Sequence, residues 1–138
     1  MKEKAFLITE KDMVGLCRLL DTKGKLGGRD KQHLRDLKKK LASAVIVEDG
    51  DIAYPFVTMN SRIRLKDLDT GTVGEYTLVY PGEADIRQGK LSVLAPVGTA
   101  LIGHQELDTV EWMAPAGRKR HRIEEILYQP ETAEADSA

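Results

Sequence analysis

Cysteine appears once, at position 17, in a chain of 138 residues. That excludes an intramolecular disulfide, and a single reduced thiol fits a cytoplasmic protein. Cys17 has no His or Asn in its sequence context and shares the apolar stripe of an expected helix, which implies an inert thiol. Histidine is scarce as well. Residues His33, His104 and His121 fall on three different expected elements, with no i, i+4 pair and no Cys/His cluster to hold a metal. His121 reads as a strand histidine, packed or half exposed, with a ligand or general-base role as the alternative. Gly24, Gly27 and Gly28 lack the Gly-Lys-Ser/Thr of a phosphate loop, and no strand precedes them. Glu124 and Glu125 are adjacent and would point to opposite sides of a regular strand, which argues against joint acid/base work. No apolar run approaches the ~20 residues of a bilayer span. Ala5-Phe6-Leu7-Ile8 is too short for the core of a signal peptide. The expectation is a protein that is not an enzyme, needs no cofactor or metal, and has no membrane partner.

What is present is an ordinary globular composition, 41% hydrophobic and 31% charged, in a length that can hold one core and a small appendage. The net charge of −1 conceals an asymmetry. Residues 1–50 carry 12 Lys/Arg against 8 Asp/Glu, and residues 51–138 carry 9 against 14. A basic N-terminal part on an acidic body implies two surfaces with different partners, or simply solvated charge.

Thr9 to Asp12 has the pattern of a helix start, with Thr9 as the cap. Met13, Leu16, Cys17 and Leu20 then form an amphipathic stripe. Gly24, Gly27 and Gly28 break it, Asp30 suits a second cap, and Leu34, Leu37, Leu41 and Ala44 form a second stripe. Two striped helices on a short Gly-rich loop predict an antiparallel hairpin over 1–50. From Asp49 onward the period changes to two. Ile63 and Leu65 alternate with Arg62, Arg64 and Lys66, Asp69-Thr70-Gly71 supplies a turn, and Tyr76, Leu78 and Tyr80 return. Leu91-Ser92-Val93 is a short strand, and Val97–Ile102, opened by Pro96, suits one or two turns of helix. Thr109–Met113 and Arg118–Tyr128 flank a hairpin turn. His121 and Ile123 share one parity and Ile126 and Tyr128 the other, so a β-bulge is expected at Glu124-Glu125. The sequence therefore predicts an α+β chain: a helical hairpin over 1–50, an antiparallel sheet with a short helix over 51–130, and a disordered tail over 131–138.

Val57-Thr58-Met59-Asn60-Ser61-Arg62, the run Leu91 to Gly103, Thr77 to Pro81 and Tyr128-Gln129-Pro130-Glu131 together resemble one family. They are similar to the regulator of nucleoside diphosphate kinase (Rnk) proteins, relatives of the Gre transcript-cleavage factors. The resemblance covers roughly residues 55–131. It implies an FKBP-like C-terminal domain that grips the rim of the RNA polymerase secondary channel. It also implies that the gripping loop is Leu94, Ala95, Pro96 and Val97, with Leu94 where some Gre factors have Asp. Pro96 would pre-set the turn, and Leu94 would add apolar contact area if exposed.

The resemblance further implies that Gre factors stimulate transcript cleavage through acids at the tip of a long helical hairpin. Here the hairpin would project only roughly 20–25 Å at ~1.5 Å per residue. Its tip carries Lys23, Lys25 and Arg29 and no carboxylate between Thr22 and Arg29, whereas Mg²⁺ needs hard oxygen ligands. A basic tip suits an acidic polymerase surface or passing nucleic acid, or serves solubility. The leading expectation is a transcription regulator that binds RNA polymerase without cleavage activity. Three alternatives stand beside it: a cleavage-stimulating elongation factor, an FKBP-type peptidyl-prolyl isomerase, and a direct nucleic-acid binder using Arg118, Lys119, Arg120 and Arg122. The isomerase reading suffers from few free aromatics, and the last from cations that alternate faces.

Overall fold

The computed structural model describes residues 6–20, 28–48, 55–114 and 117–128. Lys23 and Lys25 of the expected hairpin tip, and the expected tail over 131–138, lie outside these residues. The chain opens with strand β1 (Leu7–Thr9) running into helix α1 (Glu10–Leu20). The Thr9 hydroxyl accepts the Asp12 amide at 3.1 Å, the cap that the sequence predicts. The Asp12 carboxylate is buried and accepts the amide of Met59 at 2.9 Å, which ties α1 to the distant segment before the main sheet. Leu16 is fully buried in the apolar core, and Met13 and Leu20 are partly buried against that core. Cys17 is exposed, at the margin of the stripe and not in it.

Helix α2 (Gly28–Ala42) starts two residues before Asp30, so Asp30 lies in its first turn and is not its cap. Arg29 occupies the same turn. Leu34, Leu37 and Leu41 are buried, one per turn, as their spacing predicts. β2 (Val45–Val47) follows and pairs with β1 in parallel, Leu7 opposite Val45 and Thr9 opposite Val47. This small sheet brings the start of α1 and the end of α2 together. Its two strands are three residues each, too short for alternation to announce them.

The main sheet has five strands in the order β5-β4-β3-β7-β6. They are β3 (Arg62–Asp67), β4 (Val73–Val79), β5 (Lys90–Ser92), β6 (Thr109–Ala114) and β7 (Gly117–Tyr128), with helix α3 (Pro96–Leu101) between β5 and β6. The α+β class is as expected, but the sheet is not wholly antiparallel. β5 runs parallel to β4, because two single helical turns, Pro81–Glu83 and Ile86–Gln88, carry the chain back before it pairs.

β7 bulges twice against β3. Arg64 faces Glu125 and Leu65 faces Ile123, so Glu124 is the extra residue, and Ile123 and Ile126 both turn to the core. A second slip follows, with Ile63 opposite Ile126 and Arg62 opposite Tyr128, leaving Leu127 over. The first bulge is the expected one. The second puts Tyr128 at the register of Arg62, out of step with Ile126. One apolar cluster spans both halves of the chain, joining Leu16 and Leu37 to Met59, Ile63, Leu101 and Ile123.

Candidate protein-docking site

The loop between β5 and α3 is built to be rigid. Val93 and Leu94 are buried beneath it. The Ser92 hydroxyl accepts the Leu94 amide at 3.0 Å and the Ser92 carbonyl accepts the Ala95 amide at 3.0 Å. The Thr99 hydroxyl donates to the Val93 carbonyl at 2.6 Å, and the Thr99 amide to the Ala95 carbonyl at 2.9 Å. Ala95 is extended (φ −65°, ψ 146°), and Pro96 opens the helix at the position where its missing N–H costs nothing. Pro96 is exposed, with Ala95 and Val97 half-buried on either side. Leu94 is only 4% exposed. It holds the loop from below, so the contact area expected from it is not offered to a partner.

Pro96 is also on the lip of an open groove of about 460 Å³. Its lining includes Thr99 and Ala100 of α3, Asp36 and Lys40 of α2, and Glu111, Trp112 and Met113 of β6. Lys40 links the two helices. Its ammonium donates to the carbonyls of Thr99 at 2.6 Å and Ala100 at 2.8 Å, and lies 4.4 Å from the centre of the Phe6 ring. These carbonyls lie in the last turns of α3 and would otherwise lack donors. Burial pulls the Lys40 pKa from its ordinary 10.5 to about 7. The carbonyls and the ring favour the charged form and work against that fall.

The unfolded chain keeps this proton up to about pH 10.5, whereas the folded chain releases it near 7. Stability contributed here therefore rises as pH climbs from 7 towards 10. Lys40→Met keeps the apolar stem and removes the titration. The gain in Tm between pH 7 and pH 9 should be larger for the native chain than for the variant. Equal slopes would mean that the ammonium persists in the fold.

On the β6 wall of the groove, the Trp112 indole donates to Nδ1 of His121 at 2.9 Å. That bond requires a neutral imidazole with its hydrogen on Nε2, which lies 3.9 Å from Asp67. Burial lowers the His121 pKa, against the pull of Asp67. The Lys119 hydrogen bond, at 2.9 Å, holds the Asp67 carboxyl at about 2. The cluster is a satisfied polar lock on the β6–β7 hairpin, and His121 is the half-buried strand histidine of the sequence reading. Arg118, Arg120 and Arg122 point the other way, each with an acid at hand: Glu111 at 3.7 Å, Asp69 at 3.5 Å and Glu124 at 2.6 Å. Lys119 is on the opposite face, so the four cations form no single stripe. Among the described residues, no group of three His, Cys, Asp or Glu is placed to hold a metal.

The structure thus brings the loop residues beside α2 and β6, and adds Asp36, Lys40 and Glu111, which sequence reasoning missed. Lys40 had one visible signal. It stands three residues after the buried Leu37, at a flank of the apolar stripe, where a long side chain can lie along packed surface.

Residues 53–128 match the family model described as the C-terminal domain of the transcription elongation factors GreA/GreB. The chain belongs to this Gre family. It is 39% identical over 98 residues to the regulator of nucleoside diphosphate kinase of Escherichia coli K12, a match covering 70% of this chain and 72% of that one. It is 36% identical over 96 residues to the transcription elongation factor GreA of Syntrophotalea carbinolica, covering 70% of this chain and 61% of that factor. The match therefore spans less than two thirds of the GreA protein. Among solved structures, a GreA/GreB elongation factor from Nitrosomonas europaea superimposes with a TM-score of 0.72 at 36% identity. That likeness covers 91% of this chain and all of the other. The Gre-family match includes the whole of the Leu94–Val97 loop and all five strands of the main sheet.

Proposed function

We propose that this Gre-family chain is a transcription regulator that docks on RNA polymerase at the secondary-channel entrance and does not stimulate transcript cleavage. The observation that carries this reading is the braced loop with Pro96 exposed at its tip and Leu94 buried under it. A rigid apolar projection loses little entropy on binding, so more of its contact energy appears as affinity. Two features support the lack of cleavage. α1 and α2 have 11 and 15 residues, lengths of only about 17 and 22 Å. Residues 22–29 contain no carboxylate with which to hold a metal ion. In this reading Lys23, Lys25 and Arg29 meet acidic protein surface or nucleic acid.

The test is binding to core RNA polymerase by the native chain and by Pro96→Ala. An exposed hot-spot residue costs ~2 kcal/mol or more on truncation, roughly a thirtyfold loss of affinity. Pro96→Ala should lose about that much while its Tm moves by a few degrees at most. In stalled elongation complexes the native chain should leave cleavage at the polymerase's own rate. A native chain that fails to bind core polymerase, or that accelerates cleavage, sinks the proposal.

A further inference from the structure

Helix α3 carries Pro96 at its first position and ends at Leu101, a length of about 9 Å. Its two ends are held by different parts of the chain. The sheet domain holds the first end, through the Ser92 hydroxyl on the Leu94 amide and the Thr99 hydroxyl on the Val93 carbonyl. The helical half of the chain holds the other.

A helix leaves its final carbonyls without intrahelical donors, and each needs a partner once it is taken from water. The amides that could serve Thr99 and Ala100 are all directed elsewhere. Ile102 donates to Gly98, Gly103 to Val57 and His104 to Leu101. Both carbonyls accept instead from Lys40, 59 and 60 positions earlier in the chain. A side chain of α2 thus closes the end of a helix that belongs to the sheet domain.

The amine is itself well placed. Leu37 and Leu41 on either side of Lys40 are buried, which fixes the face of α2 from which it leaves. The Phe6 ring lies 4.4 Å from the amine and meets the His104 ring edge-on, with 5.0 Å between ring centres. The next residue, Leu7, donates to the Gly103 carbonyl at 3.3 Å. Gly103 has φ +84°, and a Cβ there would crowd Phe6 and the Leu7 backbone. The exit of α3 is therefore gripped by α2 and by the start of β1 together. Charged or neutral, the Lys40 amine keeps at least two N–H groups, enough for both carbonyls.

α3 is short and stiff, so its ends move together. A tilt of about 10° shifts one end relative to the other by about 1.5 Å. That is a large error for a tip whose affinity depends on being preorganised.

We propose that Lys40 is a positioning residue for the docking loop: by holding the Thr99 and Ala100 carbonyls it fixes the angle of α3 and so the place of Pro96. The helical half is then part of the docking apparatus, through a residue outside the 53–128 segment that matches the Gre model. This rests on the docking reading given under Proposed function and specifies what holds the contact in place.

The experiment uses the full chain and core RNA polymerase, with Lys40→Met and Lys40→Arg. Met keeps the apolar stem and removes the donors, whereas Arg keeps donors. In free Lys40→Met, the amides of Thr99 and Ile102, which bond within this helix region, should exchange with solvent about tenfold faster than in the native chain. The Ile123 amide of the sheet should exchange as before. Polymerase affinity at neutral pH should fall about tenfold with Tm within a few degrees of native, and Lys40→Arg should recover most of both losses. Faster exchange with native affinity makes Lys40 a prop for α3 alone and overturns the proposal. Weaker binding with native exchange makes Lys40 a direct contact and overturns it too. A Tm that falls in step with affinity makes Lys40 a general stabiliser, and an Arg variant as weak as Met assigns the effect to packing. Either result also overturns positioning through the two carbonyls. In all these cases binding by the native chain leaves Pro96 docking standing. If the native chain does not bind, the docking reading fails and this proposal fails with it.

Discussion

Leu94→Asp should cost the fold roughly 3–5 kcal/mol and lower Tm by about 10 °C or more, as read by thermal or urea unfolding. The residue is 4% exposed and sits in the apolar cluster with Val93 and Leu101. An aspartate there must ionise without a partner or shift its pKa far upward, and either state forfeits the apolar burial of the leucine. Against the 5–15 kcal/mol that holds a typical domain together, this is a large fraction. A change at the same position to Met should cost less than about 1.5 kcal/mol, because volume and polarity are nearly kept. If Leu94→Asp melts like the native chain, Leu94 is exposed in solution and does not brace the loop from below.

Gly98→Ala should be the most damaging Gly→Ala change among the described residues, at roughly 3 kcal/mol. Gly98 is buried in α3, and a Cβ there would collide with the Ser92 carbonyl oxygen and crowd the backbone of Val93. These are backbone atoms of a braced loop and cannot rotate aside. The helix must lift away from β5, which stretches the bond from the Thr99 hydroxyl to the Val93 carbonyl. Lifting α3 also displaces Pro96, so under the proposed docking polymerase affinity should fall together with Tm. This coupling separates it from Pro96→Ala, where affinity falls and Tm holds. A Gly98→Ala protein with native Tm would mean that α3 packs less closely on Ser92 than described.

The features legible in the sequence were those with a long enough period. Leu34, Leu37 and Leu41 mark the buried face of α2, and Ile63 and Leu65 the buried face of β3, because each repeats at the spacing of its own element. The bulge at Glu124 was legible for a similar reason. The apolar parity changes there, and a strand with one buried face cannot change parity without an extra residue. Short strands were not legible. Leu7–Thr9 and Val45–Val47 are three residues each, and they pair because α1 and α2 deliver them side by side. The parallel direction of β5 and the second bulge at Leu127 likewise depend on what the neighbouring strands require.

For the candidate site, the order of residues from Leu91 to Gly103 was enough to mark the loop and its proline. It could not tell which of four adjacent residues faces out, since a tight turn has no period to read. Three-dimensional packing decided that Leu94 is a support and Pro96 the tip. It also decided that Lys40, 56 positions earlier in the chain than Pro96, shares a groove with it. Local sequence determined which elements form, through caps, breakers and apolar spacing that act within a few residues. The groove beside β6 arises from contacts between distant segments, whose partners no local pattern can name.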